Sequence, residues 1–265
     1  MNFIFRHRLP LIADSGSVRS TSAPPRLRAR LLPVRLLPVG VSALALLFTA
    51  GCMHPPVTDS ARRGPFFAPA NHVGEPSLGG LRRVVLLPAA GANVAPAESL
   101  AALDPVFAAE LQSQKRFEVI ALSREDCLRY FQVPELSSAS TLPPRFMAIL
   151  RREFAADAVM FVDVTVFHAY QPLALGLRGK LATLDGVRLV WSFDNVFSAD
   201  EAAVANSARH HFLQAGGSDV PADLSTSVLQ SPNRFTSYAA AAMFATLPPV
   251  VPPPAAPVKT AALAK

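Results

Sequence analysis

Cysteine, tryptophan and charged residues are all scarce in this sequence. Its 265 residues include two cysteines and one tryptophan, and 17% of them are charged. Two cysteines are too few for the disulfide framework that stabilises many small secreted domains. Because 51% of the residues are hydrophobic, the composition excludes a chain that is disordered throughout and is sufficient for a buried core.

Most of the chain has no excess of positive charge, although the net charge is +6. The residues before Cys52 contain seven arginines and a single acidic residue, Asp14, so they carry the whole excess. The rest of the chain has equal numbers of basic and acidic side chains. A nucleic-acid-binding protein needs a basic patch, so the sequence predicts no nucleic-acid partner.

Catalytic motifs are missing too. The sequence has no nucleophile elbow, no phosphate-binding glycine loop and no zinc-binding helix motif. His210 and His211 are adjacent, so on a helix their side chains point about 100° apart, and a solvated helix end explains them. Asp163 and His168 are five residues apart on a predicted strand, which puts them on opposite faces. The sequence therefore predicts a protein that is not an enzyme and has no metal or cofactor.

Four other residues that could carry chemistry have structural explanations. Asp157 and Asp185 fit a helix end and a turn. Trp191 fits a core position better than a ligand platform. Cys127 lies on a predicted helix, where it is most simply a small buried apolar residue.

The strongest pattern lies in residues 1–51, which predict an export signal. A basic stretch precedes an apolar run, Leu36 to Phe48, that has the length of a signal-peptide core. The run leads into Leu47-Phe48-Thr49-Ala50-Gly51-Cys52, which resembles the lipobox of bacterial lipoproteins. The resemblance implies cleavage between Gly51 and Cys52, and attachment of lipid, palmitate included, to Cys52. An ordinary signal peptide or a simple anchor helix is the alternative.

The same resemblance implies a location. The residue after Cys52 is Met53 and not aspartate, which in lipoprotein sorting favours the outer membrane over the inner one. The protein is expected in the cell envelope, lipid-anchored and facing the periplasm. Its expected partners are the lipid bilayer, through acylated Cys52, and an envelope protein, and an oligomer is possible.

Beyond the export signal, the sequence predicts a single folded domain between extended segments. Residues 52–80 are rich in proline and glycine, which is typical of a tether with a span of roughly 30 Å. Residues 81–215 predict an α/β (α+β) domain with a small mixed sheet of about five strands, in the order β-α-β-α-α-β-β-β-α. Residues 216–247 predict a loop and a C-terminal helix, and residues 248–265 a disordered Pro/Ala-rich tail.

Local signals place several elements of this domain. The first helix is predicted to start with Asp104 as N-cap and Pro105 at its first position. Ser123 is predicted to cap the second helix. Residues 158–167 are almost continuously apolar and predict a central strand. Asp185-Gly186 predicts the turn of a β-hairpin.

Several local segments resemble a known periplasmic domain. They are Val84-Val85-Leu86-Leu87-Pro88, Lys115-Arg116-Phe117-Glu118-Val119-Ile120, Phe154-Ala155-Ala156-Asp157-Ala158-Val159, and the hairpin from Leu181 to Ser192. The domain is that of the curli-secretion lipoprotein CsgG, the N-terminal domain of TolB and the penicillin-binding-protein activator LpoB. The resemblance implies an α/β fold and a role in envelope assembly.

Three functions stay open at this point. The favoured one is a non-catalytic binding or assembly component of a cell-envelope complex. The second is a subunit of a curli-type secretion pore. The short link at residues 169–172 argues against it, because no extended amphipathic hairpins are inserted there. The third is a periplasmic small-ligand sensor or enzyme.

Overall fold

A six-stranded mixed sheet organises residues 59–216 and 222–250, the parts of the chain that the computed structural model describes. The elements are α1 (Ser60–Arg63), β1 (His72–Gly74), β2 (Arg83–Leu86), α2 (Ala97–Ser113), β3 (Glu118–Ala121), α3 (Arg124–Phe131), α4 (Phe146–Phe154), β4 (Ala158–His168), β5 (Ala174–Thr183), β6 (Leu189–Ser198), α5 (Ala202–Ala215), a 3-10 helix (Ala222–Gln230) and α6 (Pro232–Ala245). The predicted α/β class and mixed sheet are confirmed, with β1 as a strand that the sequence did not predict.

The sheet has a parallel half and an antiparallel half, in the order β1-β6-β5-β4-β2-β3. Strands β3, β2 and β4 are mutually parallel, so each needs a helical crossover to reach the next. Strands β4, β5, β6 and β1 are antiparallel. The predicted turn residues Asp185 and Gly186 lie in the connection from β5 to β6, but the positive φ values of 71° and 48° belong to Gly186 and Val187.

The two faces of the sheet bury different helices. On the first face, alternate strand residues such as Val84 and Met160 pack with α2, α5 and α6. On the second face, the intervening residues Val85 and Val159 pack with α3 and α4. The larger, first-face core extends over β5 and β6. The predicted C-terminal helix is therefore part of the domain core and not an appendage to residues 81–215.

The predicted tether is largely wrong in structural terms, because residues 59–80 pack against the domain. Asp59 forms an ion pair with Arg209 of α5 at 2.7 Å, and Ala61 is fully buried. Farther along, the amide of Phe67 donates to the Ser207 hydroxyl at 2.7 Å. The segment ends as β1, which pairs with β6. We call residues 59–74 the strap.

The predicted start of the first helix is also wrong. Helix α2 begins at Ala97, and Pro105 lies inside it, although an internal proline removes a helix hydrogen bond. Asp104 does not cap the helix, because its carboxylate accepts the amide of Ala89 at 2.9 Å and binds Arg124. Tertiary contacts thus outweigh the local signal. In contrast, Ser123 caps α3 as predicted and accepts the amide of Asp126 at 3.0 Å.

Trp191 occupies the core, as predicted. It is 1% exposed, and its indole N–H donates to the Thr246 hydroxyl at 3.1 Å. The ring lies directly over Gly179 of β5. A Cβ atom added to Gly179 would approach Trp191 to 2.6 Å and the Met243 sulfur to 3.1 Å. Glycine is therefore required at this position because a larger side chain has no room, and not because of its backbone conformation.

We expect Gly179→Ala to lower the free energy of unfolding by about 1–3 kcal/mol, because the new methyl group overpacks a core that cannot shift cheaply. Urea denaturation of the variant and the parent protein measures the difference. Ser192→Ala, on β6 of the same sheet but outside this contact, is the control and should change the midpoint little. Equal midpoints for Gly179→Ala and the parent would contradict the packing argument.

Candidate functional site

The carboxyl edge of the parallel strands is where open α/β sheets bind ligands. Ligands bind in the crevice between adjacent strands whose outgoing connections leave to opposite faces. Strands β2 and β3 meet this condition, because β2 leads to α2 on the first face and β3 leads to α3 on the second. This edge of the sheet is therefore the candidate functional site.

Arg124, the first residue of α3, fills the crevice. Its Nε and Nη2 groups donate to Asp104 at 2.7 and 3.2 Å, and Nη1 donates to Glu135 at 2.6 Å. Nη2 also donates to the carbonyl of Ala89, just after β2, at 2.8 Å. The three charged side chains are 15–23% exposed. One buried guanidinium thus joins α2, α3 and the loop after β2.

Glu135 takes the place that a bound anion would have in such a crevice. Its Oε1 atom accepts the amides of Gly91 and Ala92, after β2, at 3.0 and 3.1 Å, while Oε2 binds Arg124. Successive backbone amides at this position commonly hold phosphate or carboxylate groups of ligands. Here they hold a side chain of the same chain, supplied by the loop at residues 132–145.

The surroundings favour the neutral form of Asp104 but the charged form of Arg124. Burial raises the pKa of the Asp104 carboxyl, although hydrogen bonds from Arg124 and Ala89 lower it in part. Burial also disfavours the charged Arg124, but its hydrogen bonds to Asp104 and Glu135 outweigh burial and raise its pKa overall. With all three groups ionised, one positive charge faces two negative ones. Asp104 is therefore the residue of this network whose charged form is disfavoured by burial.

A polar cavity of about 480 Å³ adjoins the network. Asp163 on β4 lines it and is 5% exposed. Its carboxylate accepts the backbone amide and the hydroxyl of Ser138, from the same 132–145 loop. Arg178 also lines the cavity and donates to Asp194 on β6 at 2.8 Å. The buried carboxylate is thus satisfied internally, and the lining of the cavity also includes Asn93, Glu135 and several hydroxyl groups.

The sequence-predicted residues do not form one site. Asp163 and His168 line different cavities. Their predicted placement on opposite faces is wrong, because the bulge between Val164 and Val166 shifts the alternation of β4 and puts both residues on the same face of the sheet. His210 contacts the strap through Nδ1 and the Ala61 carbonyl at 2.9 Å. His211 is half-buried, so the simple picture of a solvated helix end is wrong for it. Cys127 is free and fully buried, and burial raises the pKa of its thiol to about 12.

Arg124 and Glu135 were not predicted as a pair, and nothing local could have indicated them. Asp157, predicted as a helix end, instead accepts the amides of Arg82 and Arg83 at 2.8 and 2.9 Å. Gly51 and Cys52, the predicted cleavage and lipid-attachment residues, lie outside the described residues. No helix within the ranges 59–216 and 222–250 is long and apolar enough to span a bilayer.

A second group of polar residues lines two cavities between α2, α5 and α6, of about 390 and 430 Å³. Glu110 and His211 line both of them. Burial lowers the pKa of His211, partly offset by Glu110. Burial also raises the pKa of Tyr238 to about 12. The Tyr238 hydroxyl lies beside Ser207 and makes no hydrogen bond of normal geometry.

No protein-family model and no curated protein matches this sequence. Among solved structures, a PelC dodecamer from Paraburkholderia phytofirmans is 12% identical, covering 63% of this chain and 96% of its own, with a TM-score of 0.35. The lipoprotein GNA1162 from Neisseria meningitidis is 14% identical, covering 52% and 99%, with a TM-score of 0.34. The hypothetical protein CT253 from Chlamydia trachomatis is 12% identical, covering 44% and 69%, with a TM-score of 0.31. Similarity this low does not transfer a function or an assembly to this chain.

We expect Arg124→Met to lower the free energy of unfolding by about 3 kcal/mol, the low end for a broken buried ion pair, because Asp104 and Glu135 would be left facing each other. Chemical denaturation at neutral pH measures the loss. Arg129→Met is the matched control. It lies on the same helix in an ion pair that is 63% exposed on the arginine side, where such pairs contribute about 0–1 kcal/mol. Similar losses for both variants would contradict the central place of Arg124.

Stability should also fall in mild acid because of His211. Its pKa in the folded protein is below the ordinary value of about 6.5, mainly because the ring is buried. As the pH falls below about 6.5, the unfolded chain gains a proton that the folded chain resists, so folding stability decreases. Urea titrations at neutral pH and in mild acid should show a smaller decrease for His211→Gln than for the parent. His210→Gln is the control for the adjacent ring, and an unchanged slope for His211→Gln would refute the assignment.

Proposed function

We propose that this protein is a lipid-anchored component of the bacterial cell envelope that acts by binding a partner protein and not by catalysis. The observation that carries the proposal is the segment Leu47-Phe48-Thr49-Ala50-Gly51-Cys52, which ends an apolar run and is separated by six residues from Asp59, where the described domain begins. Small residues directly before a cysteine at the end of a signal-peptide core are the pattern for lipid attachment. Two or more acyl chains give stable anchoring.

The closed crevice supports the non-catalytic part of the proposal. Arg124 and Glu135 occupy the position where a sheet of this kind would bind a substrate or nucleotide. Function depends on such sites and not on the fold alone. A domain that fills its own crevice gains rigidity, and its outer surfaces are then the natural places for a partner. The outer membrane as location and the likeness to the CsgG, TolB and LpoB domain remain parts of this proposal.

Small-ligand binding is a second candidate, favoured by one observation. The cavity beside Asp163 is about 480 Å³, within the range of small-molecule sites. The carboxylate is buried and already held by Ser138, so a ligand would have to bind through other groups of the lining, such as Asn93, Thr165 and Arg178. The curli-type pore has no comparable support, because β4 and β5 are joined by residues 169–173 alone.

Mass spectrometry of the protein purified from membranes tests the anchor. We expect a mature chain that starts at Cys52 and carries acyl groups, and a Cys52→Ala variant that is neither cleaved at this position nor acylated. Cys127→Ala is the matched control, because it removes the other cysteine, which is buried in the domain. It should be acylated like the parent. A parent chain with an unmodified Cys52 would refute the lipid anchor.

A further inference from the structure

The strap fixes how far the folded domain can lie from the lipid anchor. Only six residues lie between Cys52 and Asp59, and Asp59 is already held by Arg209 in an ion pair that is 16–20% exposed. The chain from Cys52 to Asp59 therefore spans at most about 25 Å when fully extended. A domain of this size has a radius of gyration of about 16 Å and is therefore about 40 Å across. The link is shorter than the domain, so the start of the strap cannot lie on the side of the domain that faces away from the bilayer.

The strap cannot easily swing away to lengthen this link. Ala61 is fully buried, and its carbonyl contacts His210 Nδ1 at 2.9 Å. Farther along, the side-chain amide of Asn206 donates to the Pro65 carbonyl at 3.2 Å. Releasing the strap would expose these groups and break the buried ion pair of Asp59. The point on the domain surface where the link to Cys52 begins is therefore fixed.

The chemistry of the side that bears the strap fits a lipid surface. Arg62 and Arg63 are exposed on α1, and neither pairs with a carboxylate in the described ranges. Phe66 is 44% exposed, and its ring packs on His210. Leu224 is 57% exposed and precedes Ser225, whose hydroxyl accepts from the same Arg209 that binds Asp59. These four residues, Arg62, Arg63, Phe66 and Leu224, form what we call the membrane-side patch.

We propose that the membrane-side patch docks the domain on anionic phospholipid headgroups, with the two arginines binding phosphate and the two apolar side chains entering the interface. This inference rests on the proposed lipid anchor at Cys52. Basic residues close to a membrane anchor are attracted to anionic lipids, and apolar neighbours deepen the contact. The anchor keeps the patch near the surface, so even a weak contact is populated.

Fluorescence quenching on vesicles tests the docking. The acylated protein is reconstituted in vesicles of equal parts phosphatidylglycerol and phosphatidylcholine that contain a headgroup-linked quencher. A cysteine introduced by Ser60→Cys on α1 carries the fluorophore. Labelling is selective, because Cys127 is fully buried and Cys52 is blocked by lipid. Ser140→Cys, an exposed position in the 132–145 loop on the second face, provides the distant control probe.

We expect strong quenching at position 60 and little at position 140. The double variant Arg62→Gln/Arg63→Gln should lower the ratio of docked to undocked protein about 25-fold, at about fivefold for each arginine. High salt and pure phosphatidylcholine should act in the same direction. Arg129→Gln/Arg152→Gln removes two other exposed arginines, from α3 and α4, and should leave quenching unchanged.

The membrane-side patch and the lipid anchor at Cys52 can be refuted separately. If the protein floats with the vesicles but both probes are quenched equally, or the Arg62/Arg63 variant behaves like the parent, the membrane-side patch is refuted and the lipid anchor stands. If the membrane-purified protein carries no lipid and does not float with the vesicles, the anchor is refuted and the patch with it.

Discussion

The contact between Arg124 and Glu135 is the interaction on which the parallel half of the sheet depends. Through it, the loop after β2, helix α2, helix α3 and the 132–145 loop meet at one point. Removing the guanidinium would leave two carboxylates facing each other, and removing Glu135 would leave two amides of the loop without an acceptor. The network therefore does more than stabilise: it determines the shape of the carboxyl edge and closes the crevice there.

The antiparallel half depends on a different constraint, the docking of the strap. Strand β1 pairs with β6 and so covers what would otherwise be an open sheet edge, which is a common route to unwanted association. The same segment binds α5 through Asp59, Ala61 and Phe67. One stretch of chain thus completes the sheet, covers a helix and limits the distance to Cys52. Gly64, Pro65 and Pro69 lie between α1 and β1, where the strap follows the surface without regular structure.

Local patterns predicted those parts of the fold that local physics determines. The apolar run of β4, the turn around Asp185-Gly186 and the Ser123 cap all follow from neighbouring residues. The strap was mistaken for a tether because the residue that holds Phe67 lies 140 positions away. Glu135 had no signal for the same reason, since the amides it binds lie more than 40 positions earlier. The helix start at Asp104 failed because a tertiary ion pair took the carboxylate that would have capped it.

The hydrogen bonds of Glu135 limit which ligands could enter the crevice. A ligand would have to displace Glu135 and then supply an acceptor to the amides of Gly91 and Ala92 and to Arg124. Only an anion could do so, and a phosphate would bring more negative charge than the carboxylate it replaced. That charge would lie close to Asp104, whose pKa burial already raises. The carboxylate of Glu135 therefore satisfies these amides and Arg124 with less negative charge beside Asp104 than a phosphate would bring.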